Sequence, residues 1–210
     1  DERYKASVLM FYDQRCGTEL DSAIAGDFAH AACHTGTAIV YGSDVAKDVT
    51  GGWHDAGDYG RYVVPGAKAV QDLLLTYEDS EYAAKDDAIG IPESGNGVPD
   101  VLDEVRYELD WMLKMQDETS GGVYHKVTGE VFPEMVAAVE ETAQMILSPI
   151  SNTATGDFAA VMAKASVVYR KYDAAFADSC LAAAQKAWKY LEQHQGDAGL
   201  KNVGRIATGE

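Results

Sequence analysis

The sequence has few basic residues and lacks a long apolar run. Only 17 lysines and arginines stand against 34 aspartates and glutamates in 210 residues, which gives a formal net charge of −17. Nucleic-acid phosphates and anionic membrane surfaces would repel such a chain, so neither is expected as a partner and a neutral ligand is favoured. No stretch approaches the roughly 20 apolar residues that a membrane-spanning helix needs.

Cysteine is also rare. The three cysteines cannot all pair within one chain, so a pure disulfide framework is not expected and metal ligation has to be considered. The opening residues Asp1–Lys5 do not resemble a secretory signal. If the protein is secreted, its signal was removed or was not included in this sequence.

Strand-like patterns are scarce, and helical periodicity dominates. Apolar spacings predict helices around residues 4–11, from near Pro65 to Tyr77, after Pro99, and across Ala174–Gln193. A further helix is predicted across residues 157–171, with Asp157 as its N-terminal cap. In the helix after Pro99 we expect the apolar residues to face inward, whereas three acidic residues should face outward: Asp103, Glu104 and Glu108.

These patterns predict an all-α fold without a second domain. One β-like segment, residues 122–127, is expected to form a local hairpin or an extended loop. Trp111, Trp188 and Cys180 lie within predicted helices and are expected in the core. Long loops at 26–60, 89–99 and 121–154 separate the helices, and in a helical scaffold such loops commonly carry binding and catalytic residues.

The segment Gly52–Asp58 is the most difficult part of the chain to explain by packing. It places two aspartates, Asp55 and Asp58, among glycines, an indole and an imidazole, and no cationic side chain follows until Arg61. Paired carboxylates can bind a hard cation, bind sugar hydroxyls, or hold and deprotonate a water molecule. The alternative is a pair of aspartates that only cap a turn or a helix.

Two cysteines and two histidines form a second candidate site. Two thiolates and two imidazoles suit a closed tetrahedral zinc site of the structural kind, with Cys16, Cys33, His34 and His54 as ligands. Their spacing matches no short zinc-finger pattern, so a disulfide between the cysteines, or ordinary buried side chains, are the alternatives. A metal on His54 would also fix the backbone that carries Asp55.

A third group consists of aromatic side chains and one imidazole on loops. Aromatic faces stack on pyranose rings and an imidazole can bond to a sugar hydroxyl, so these residues are candidates for substrate binding. Ordinary core packing is the alternative for each of them. They are Trp53, Tyr59, Tyr62, Tyr124 and His125.

Several blocks of the sequence together resemble one protein family. The run Gly51–Tyr62 closely resembles the aspartate loop of family 9 glycoside hydrolases, the inverting cellulases. Phe11–Gly17 is similar to the opening helix of the subgroup in which an immunoglobulin-like module precedes the catalytic domain. Ile91–Asp100 and Thr155–Ala163 resemble further segments of that subgroup. The likeness therefore extends over most of the chain.

The resemblance implies an (α/α)6 barrel, a toroid of six helical hairpins, of which residues 1–210 would form about the N-terminal half. Asp58 would be the general base and Asp55 would hold the attacking water, while His125 would contact the glucan. Trp53 and Tyr59 remain candidates for substrate contact beside them. Calcium is implied as well, without assignable ligands. A structural zinc is implied with the ligands Cys16, Cys33, His34 and His54.

The chain departs from the family pattern in one respect. Inverting hydrolysis also needs a protonated carboxyl group across the scissile bond, about 6.5–9.5 Å from the base. The family's acid is a glutamate near the far end of the domain, and no segment here resembles it. We therefore expect an extracellular endoglucanase acting on β-1,4-glucan, whose acid lies outside this chain.

Two alternatives remain at this point. The chain could be a non-catalytic fragment that binds glucan or assembles, either with itself or with the missing half of the barrel, through an exposed apolar face. The other alternative makes His34, His54 and the aspartates a catalytic metal site, and the adjacent thiolates argue against it.

Overall fold

The computed structural model describes residues 2–56, 58–196, 200 and 202–206. Within these residues, helices form the main scaffold. The α-helices are α1 (Glu2–Asp13), α2 (Ser22–Ala25), α3 (Val63–Asp79), α4 (Asp100–Lys114), α5 (Asn152–Val168) and α6 (Ala174–Gln193). Short 3₁₀ turns occur at Gly26–Phe28, Ala138–Glu140 and Tyr169–Lys171.

The long helices pack in sequence around a shared apolar core. Helices α5 and α6 form a helical hairpin, which the 3₁₀ turn after Val168 connects. Helix α3 packs against both α4 and α5, and α1 packs against α4. One face of each helix contributes to the same cluster of buried side chains, which includes Val8, Leu74, Leu109 and Phe158.

Four of the predicted helices are confirmed, and one has a different start. Helix α5 begins at Asn152 rather than at Asp157, because the Ser151 hydroxyl accepts a hydrogen bond from the Ala154 backbone N–H at 3.1 Å. The prediction that Asp157 caps this helix was therefore wrong. The helix also ends at Val168, before the 3₁₀ turn.

The predicted helical scaffold is present, but the fold is not purely α-helical: 47% of the described residues are helical, 3₁₀ turns included, and 12% lie in strands or isolated bridges. The strands are β1 (Ala38–Val40), β2 (Ala46–Lys47), β3 (Arg61–Tyr62), β4 (Val123–Tyr124), β5 (Lys126–Gly129), β6 (Met145–Leu147) and β7 (Ile150–Ser151). Five of them form a sheet in the order β2-β1-β6-β5-β3, and β4 pairs with β7. The pairs in the larger sheet are antiparallel except for β1 with β6, in which Ile39 lies opposite Ile146.

The segment 122–127 does not form the local hairpin that was one of its expected forms. Its two strands pair with different partners, since Val123 lies opposite Ser151 in β7 whereas Val127 lies opposite Arg61 in β3 and Leu147 in β6. Strand β3 directly follows the aspartate-rich segment. The sheet therefore fixes the position at which that segment ends.

Three predictions about burial were wrong and two are confirmed. Glu104 and Glu108 were expected on the outside of α4, yet both are buried. Trp188 was expected in the core, yet 59% of it is exposed on α6, where its indole N–H donates to Glu192. Trp111 and Cys180 are buried as expected.

Among the described residues, no helix is both long and apolar enough to cross a bilayer.

Candidate active site and metal centre

The aspartate loop, residues 51–60, begins beside Trp111 of α4 in a conformation that requires glycine. Gly52 has a φ of 79°, and a Cβ atom there would lie 2.7 Å from the Trp111 indole. The Arg61 guanidinium donates hydrogen bonds to the backbone oxygens of Val49 at 2.6 Å and Gly51 at 2.7 Å. These contacts fix the entry to the loop. Gly57, which also belongs to the motif, lies outside the described residues.

The two aspartates of the loop have different environments. Asp58 is 6% exposed, and the Tyr62 hydroxyl donates a hydrogen bond to its Oδ2 atom, whereas Asp55 is exposed. Burial raises the pKa of Asp58 above its usual value; the Tyr62 hydrogen bond opposes this rise, and the negative charge of Asp55 adds to it. Asp58 is thus a sheltered carboxylate whose proton affinity is increased, and Asp55 beside it is open to solvent.

Two buried glutamates of α4 hold the loop from its inner side. The Trp53 backbone N–H donates to Glu108 Oε2 at 2.7 Å, and the Trp53 indole N–H donates to Glu104 Oε2 at 3.3 Å. The Arg15 guanidinium lies 2.5 Å from the other Glu104 oxygen and also pairs with Glu93. Burial raises the pKa of Glu108 to about 8 and that of Glu104 to about 7.

Sequence reasoning missed both glutamates, although a signal was present. They lie four residues apart, within the same helical stripe as the buried residues Val101, Val105 and Met112. Acidic side chains at such positions must find donors in the core, because an unpaired buried carboxylate is costly. Glu104 and Glu108 find these donors on Trp53 and Arg15.

The four predicted metal ligands converge on one point. The ligand atoms of Cys16, Cys33, His34 and His54 all lie within 4.8 Å of one another. Both cysteines are free thiols, so the disulfide alternative is not what the structure contains. The Cys33 Sγ atom lies 3.6 Å from His54 Nε2. Two sulfur and two nitrogen donors at this separation are the donor set that zinc takes in closed structural sites.

The histidines of this cluster also fit a metal. His34 adopts a φ of 48°, and its Nδ1 atom is buried without a hydrogen-bond partner among the described residues. Such an orphaned nitrogen is accounted for if it binds a cation. Burial lowers the pKa of His54, which favours the neutral imidazole that can donate a lone pair to a metal.

Two of the remaining predicted site residues, Tyr59 and His125, have polar atoms engaged in hydrogen bonds. Tyr59 packs its ring on His34 and His54 at centroid distances of 5.8 and 5.1 Å, and its hydroxyl donates to the Val136 oxygen at 2.5 Å. His125 lies between β4 and β5, buried, with Nδ1 2.7 Å from the Ser151 hydroxyl. Burial, with the nearby Lys126 charge, lowers its pKa to about 4.

Trp53 differs from a surface stacking residue, since it is buried and packs on Phe11 with ring centroids 4.7 Å apart. It borders a cavity of about 280 Å³ that Asp55, Tyr62 and Glu108 also line. A substrate contact by Trp53, Tyr59 or His125 stays a prediction.

A group of three carboxylates lies away from the aspartate loop. The oxygens of Asp87, Asp100 and Asp103 come within 4.8 Å of one another. Asp100 accepts hydrogen bonds from the Ile89 N–H and the Ser94 hydroxyl, so the group organises the loop before α4. Calcium binding stays a prediction without assigned ligands.

A buried carboxylate of increased proton affinity beside an exposed one can hold and deprotonate a water molecule. The family model described as glycosyl hydrolase family 9 matches residues 1–209, and the chain belongs to this family. Endoglucanase D of Acetivibrio thermocellus is 36% identical over 100% of this chain and 34% of its own length. The cellodextrinase of Butyrivibrio fibrisolvens is 42% identical over 100% of this chain and 39% of its own length. The chain thus spans little more than a third of these relatives.

Solved structures of the family have the same fold. AaCel9A in complex with a cellobiose-like isofagomine superposes with a TM-score of 0.91 and 43% identity, covering 98% of this chain and 39% of that one. A Zn-binding triple mutant of the family 9 endoglucanase J30 superposes with a TM-score of 0.83 and 34% identity, covering 96% of this chain and 41% of that one. The family's helical (α/α)6 barrel is therefore the fold to which this chain contributes a part.

Proposed function

We propose that the chain is the N-terminal portion of one (α/α)6 catalytic domain that hydrolyses β-1,4-glucosidic bonds with inversion. The observation that carries this proposal is the contrast between the buried Asp58, with its Tyr62 hydrogen bond, and the exposed Asp55 on the same loop. The names of the relatives, endoglucanase and cellodextrinase, support cellulose and cello-oligosaccharides as the substrate class. An extracellular location follows from a substrate that cells meet outside.

In this proposal the two aspartates act on one water molecule. Asp58 takes the proton as the water attacks the anomeric carbon, because burial has increased its affinity for protons. Asp55 accepts a second hydrogen bond from the same water and fixes its orientation. A glutamate outside this chain gives a proton to the leaving oxygen. His125, Tyr59 and Trp53 contact the sugar rings.

The test is the substitution Asp58→Asn in the complete enzyme. Asparagine has a similar size but cannot take the proton, so hydrolysis of cello-oligosaccharides should fall about 10²- to 10⁴-fold while the fold is retained. Asp44→Asn, which neutralises an exposed aspartate outside the aspartate loop, is the matched control. Near-normal turnover by Asp58→Asn would overturn the base assignment. A β-anomeric first product from the unmodified enzyme, seen by NMR, would overturn inversion.

We also propose a structural zinc ion bound by Cys16, Cys33, His34 and His54. The donor set supports it, and so does the orphaned Nδ1 of His34. When bound, the ion would link three separate segments and would hold the backbone of His54, which immediately precedes Asp55.

Elemental analysis of the complete enzyme tests the zinc site. We expect one zinc per chain, lost on Cys16→Ser and kept on Cys180→Ser, which changes a buried cysteine outside the cluster. A folded sample that was never exposed to chelator and contains no zinc would refute the site.

A further inference from the structure

Glu141, a residue that the sequence did not single out, contacts a ligand of the proposed zinc site, on which its role rests. Its Oε2 atom lies 3.0 Å from His34 Nε2, and both side chains are enclosed, with 4% and 2% of their surface exposed. The nitrogen on the other side of the same ring, Nδ1, is the orphaned one. The imidazole is therefore held by a carboxylate at Nε2, while its Nδ1 atom has no hydrogen-bond partner among the described residues and the ring lies beside the Cys33 thiol.

This arrangement determines the tautomer of His34. A carboxylate oxygen accepts hydrogen bonds, so the 3.0 Å contact makes Nε2 the donor and Glu141 Oε2 the acceptor. When a metal displaces the second proton of the ring, the lone pair that binds it is therefore on Nδ1. Such carboxylate–histidine pairs orient metal-bound imidazoles and make them better ligands.

Glu141 also connects the cluster to a particular segment of the chain. Residues 130–141, the connecting segment, join β5 to the chain that leads into β6. The segment touches the cluster at two further places, since Ala138 packs with Cys16 and Cys33 and the Val136 oxygen accepts from the Tyr59 hydroxyl. Tyr59 in turn adjoins Asp58 in sequence and packs on both histidines.

We propose that Glu141 is a positioning residue that fixes the metal-binding tautomer of His34 and thereby couples zinc binding to the ordering of residues 130–141 beside the aspartate loop. Binding of the ion and docking of the connecting segment stabilise each other through this hydrogen bond. The coupling is reciprocal, so losing the segment's anchor weakens metal affinity and losing the metal loosens the segment.

Zinc affinity is the first measurement, made on the complete enzyme by competition with a chromogenic chelator. We expect Glu141→Ala to weaken zinc binding about 10- to 100-fold. Glu141→Gln retains a carbonyl oxygen that can accept from His34 and should lose less. Glu134→Gln removes an exposed charge from the same segment and serves as the control, with unchanged affinity.

Hydrogen–deuterium exchange supplies a measurement that does not depend on activity. In the unmodified enzyme, zinc removal should speed exchange across residues 130–141, and Glu141→Ala should speed it there even with zinc bound. Substitution with cobalt(II) should give the same tetrahedral sulfur–nitrogen spectrum in Glu141→Gln as in the unmodified enzyme, because Glu141 does not touch the ion.

The outcomes separate the two proposals. Absence of zinc binding in the unmodified enzyme would reject the metal site itself. Two results would reject only the role of Glu141. One is an unchanged zinc affinity in Glu141→Ala, and the other is a hydrogen–deuterium exchange rate in residues 130–141 that is the same with and without zinc. A change of coordination number in the cobalt spectrum of Glu141→Gln would instead make Glu141 a ligand and would also overturn the proposed positioning role.

Discussion

At the scale of single residues, the hydrogen bond between Tyr62 and Asp58 opposes the effect of burial. Burial favours the protonated carboxyl group, whereas the donated hydrogen bond favours the carboxylate. A general base needs both effects in balance, because it must be ionised before the reaction and must hold the proton afterwards.

Removal of the Tyr62 hydroxyl should therefore shift the pH dependence of the reaction. In Tyr62→Phe the carboxylate loses a stabilising donor, the pKa of Asp58 rises, and the acidic limb of kcat/KM should move about one to two units toward higher pH. The profile would be measured on a soluble cello-oligosaccharide. Tyr41→Phe, at an exposed tyrosine, should leave the limb in place. An unmoved limb in Tyr62→Phe would assign that limb to another group.

The residues that sequence reasoning found are those whose chemistry is unusual for their surroundings. Asp55 and Asp58 stood out because glycine, indole and imidazole surround them. Glu141 gave no such signal, since it is one acid in an acidic stretch and becomes specific only when the chain brings it to His34, 107 positions away.

At the scale of elements, α4 serves both as a core helix and as the support of the aspartate loop. Its apolar stripe buries Val101 and Leu109, while Glu104 and Glu108 in the same stripe accept the two N–H groups of Trp53. Because burial raises the pKa of Glu108 to about 8, its carboxyl group keeps its proton in the folded enzyme at neutral pH.

This buried acid makes stability depend on pH. Between the unfolded pKa of 4.5 and the folded value of about 8, folding takes up a proton at Glu108, so stability falls as pH rises through that range. Glu108→Gln keeps an acceptor for the Trp53 N–H but cannot ionise. We expect the free energy of unfolding to fall less steeply from pH 5 to 8 in this variant, by up to about 1.4 kcal/mol per pH unit.

Urea titrations of the complete enzyme at several pH values would measure this difference. Glu118→Gln, an exposed glutamate just beyond α4, should reproduce the original slope. Glu108→Leu leaves the Trp53 N–H without an acceptor and should lose about 1–3 kcal/mol at all pH values. Equal slopes for Glu108→Gln and the unmodified enzyme would show that Glu108 is ionised in the fold.

Helices could be predicted from the sequence far better than strands could. Helices α3, α4 and α6 are long enough for their apolar residues to repeat several times, so the period is visible. Strands β2, β3, β4 and β7 contain two residues each, too few to show alternation, and their pairing depends on distant partners. The cap of α5 was misplaced because Ser151 and Asp157 are both good caps, and the pairing of Ser151 with the distant Val123, which brings Ser151 to the start of the helix, does not show in the local sequence.

At the scale of the whole molecule, the chain exposes an apolar groove between α5 and α6. The groove has a volume of about 550 Å³. Many of the residues that line it are glycine or alanine, so the surface of the groove lies close to the helix backbones. Its lining includes Gly156, Ala159, Ala160, Ala163, Leu181 and Trp188. Apolar surface of this kind is normally covered, and because the chain covers 39% of AaCel9A, the rest of the barrel is the expected cover.

The 210-residue chain by itself should therefore associate through this groove, and it should not hydrolyse glucan. It contains the proposed base but no identified acid, so cello-oligosaccharide binding without product is expected. Sedimentation velocity should show oligomers that Trp188→Glu reduces, since the charge would have to be buried. Val167→Glu, at an exposed α5 residue that does not line the groove, should not reduce them.

Either part of this last prediction can fail separately. Product formation by the isolated chain would mean that one of its own carboxyl groups acts as the catalytic acid. The buried Glu104 and Glu108 would then be the first residues to test by substitution. If the isolated chain stayed monomeric, Trp188 and the groove would be exposed to solvent at little cost in free energy. The reason would be that each alanine lining the groove exposes only a small apolar area. If Trp188→Glu and Val167→Glu reduced the fraction of oligomers equally, the contact would lie outside the groove, on another face of the helical hairpin.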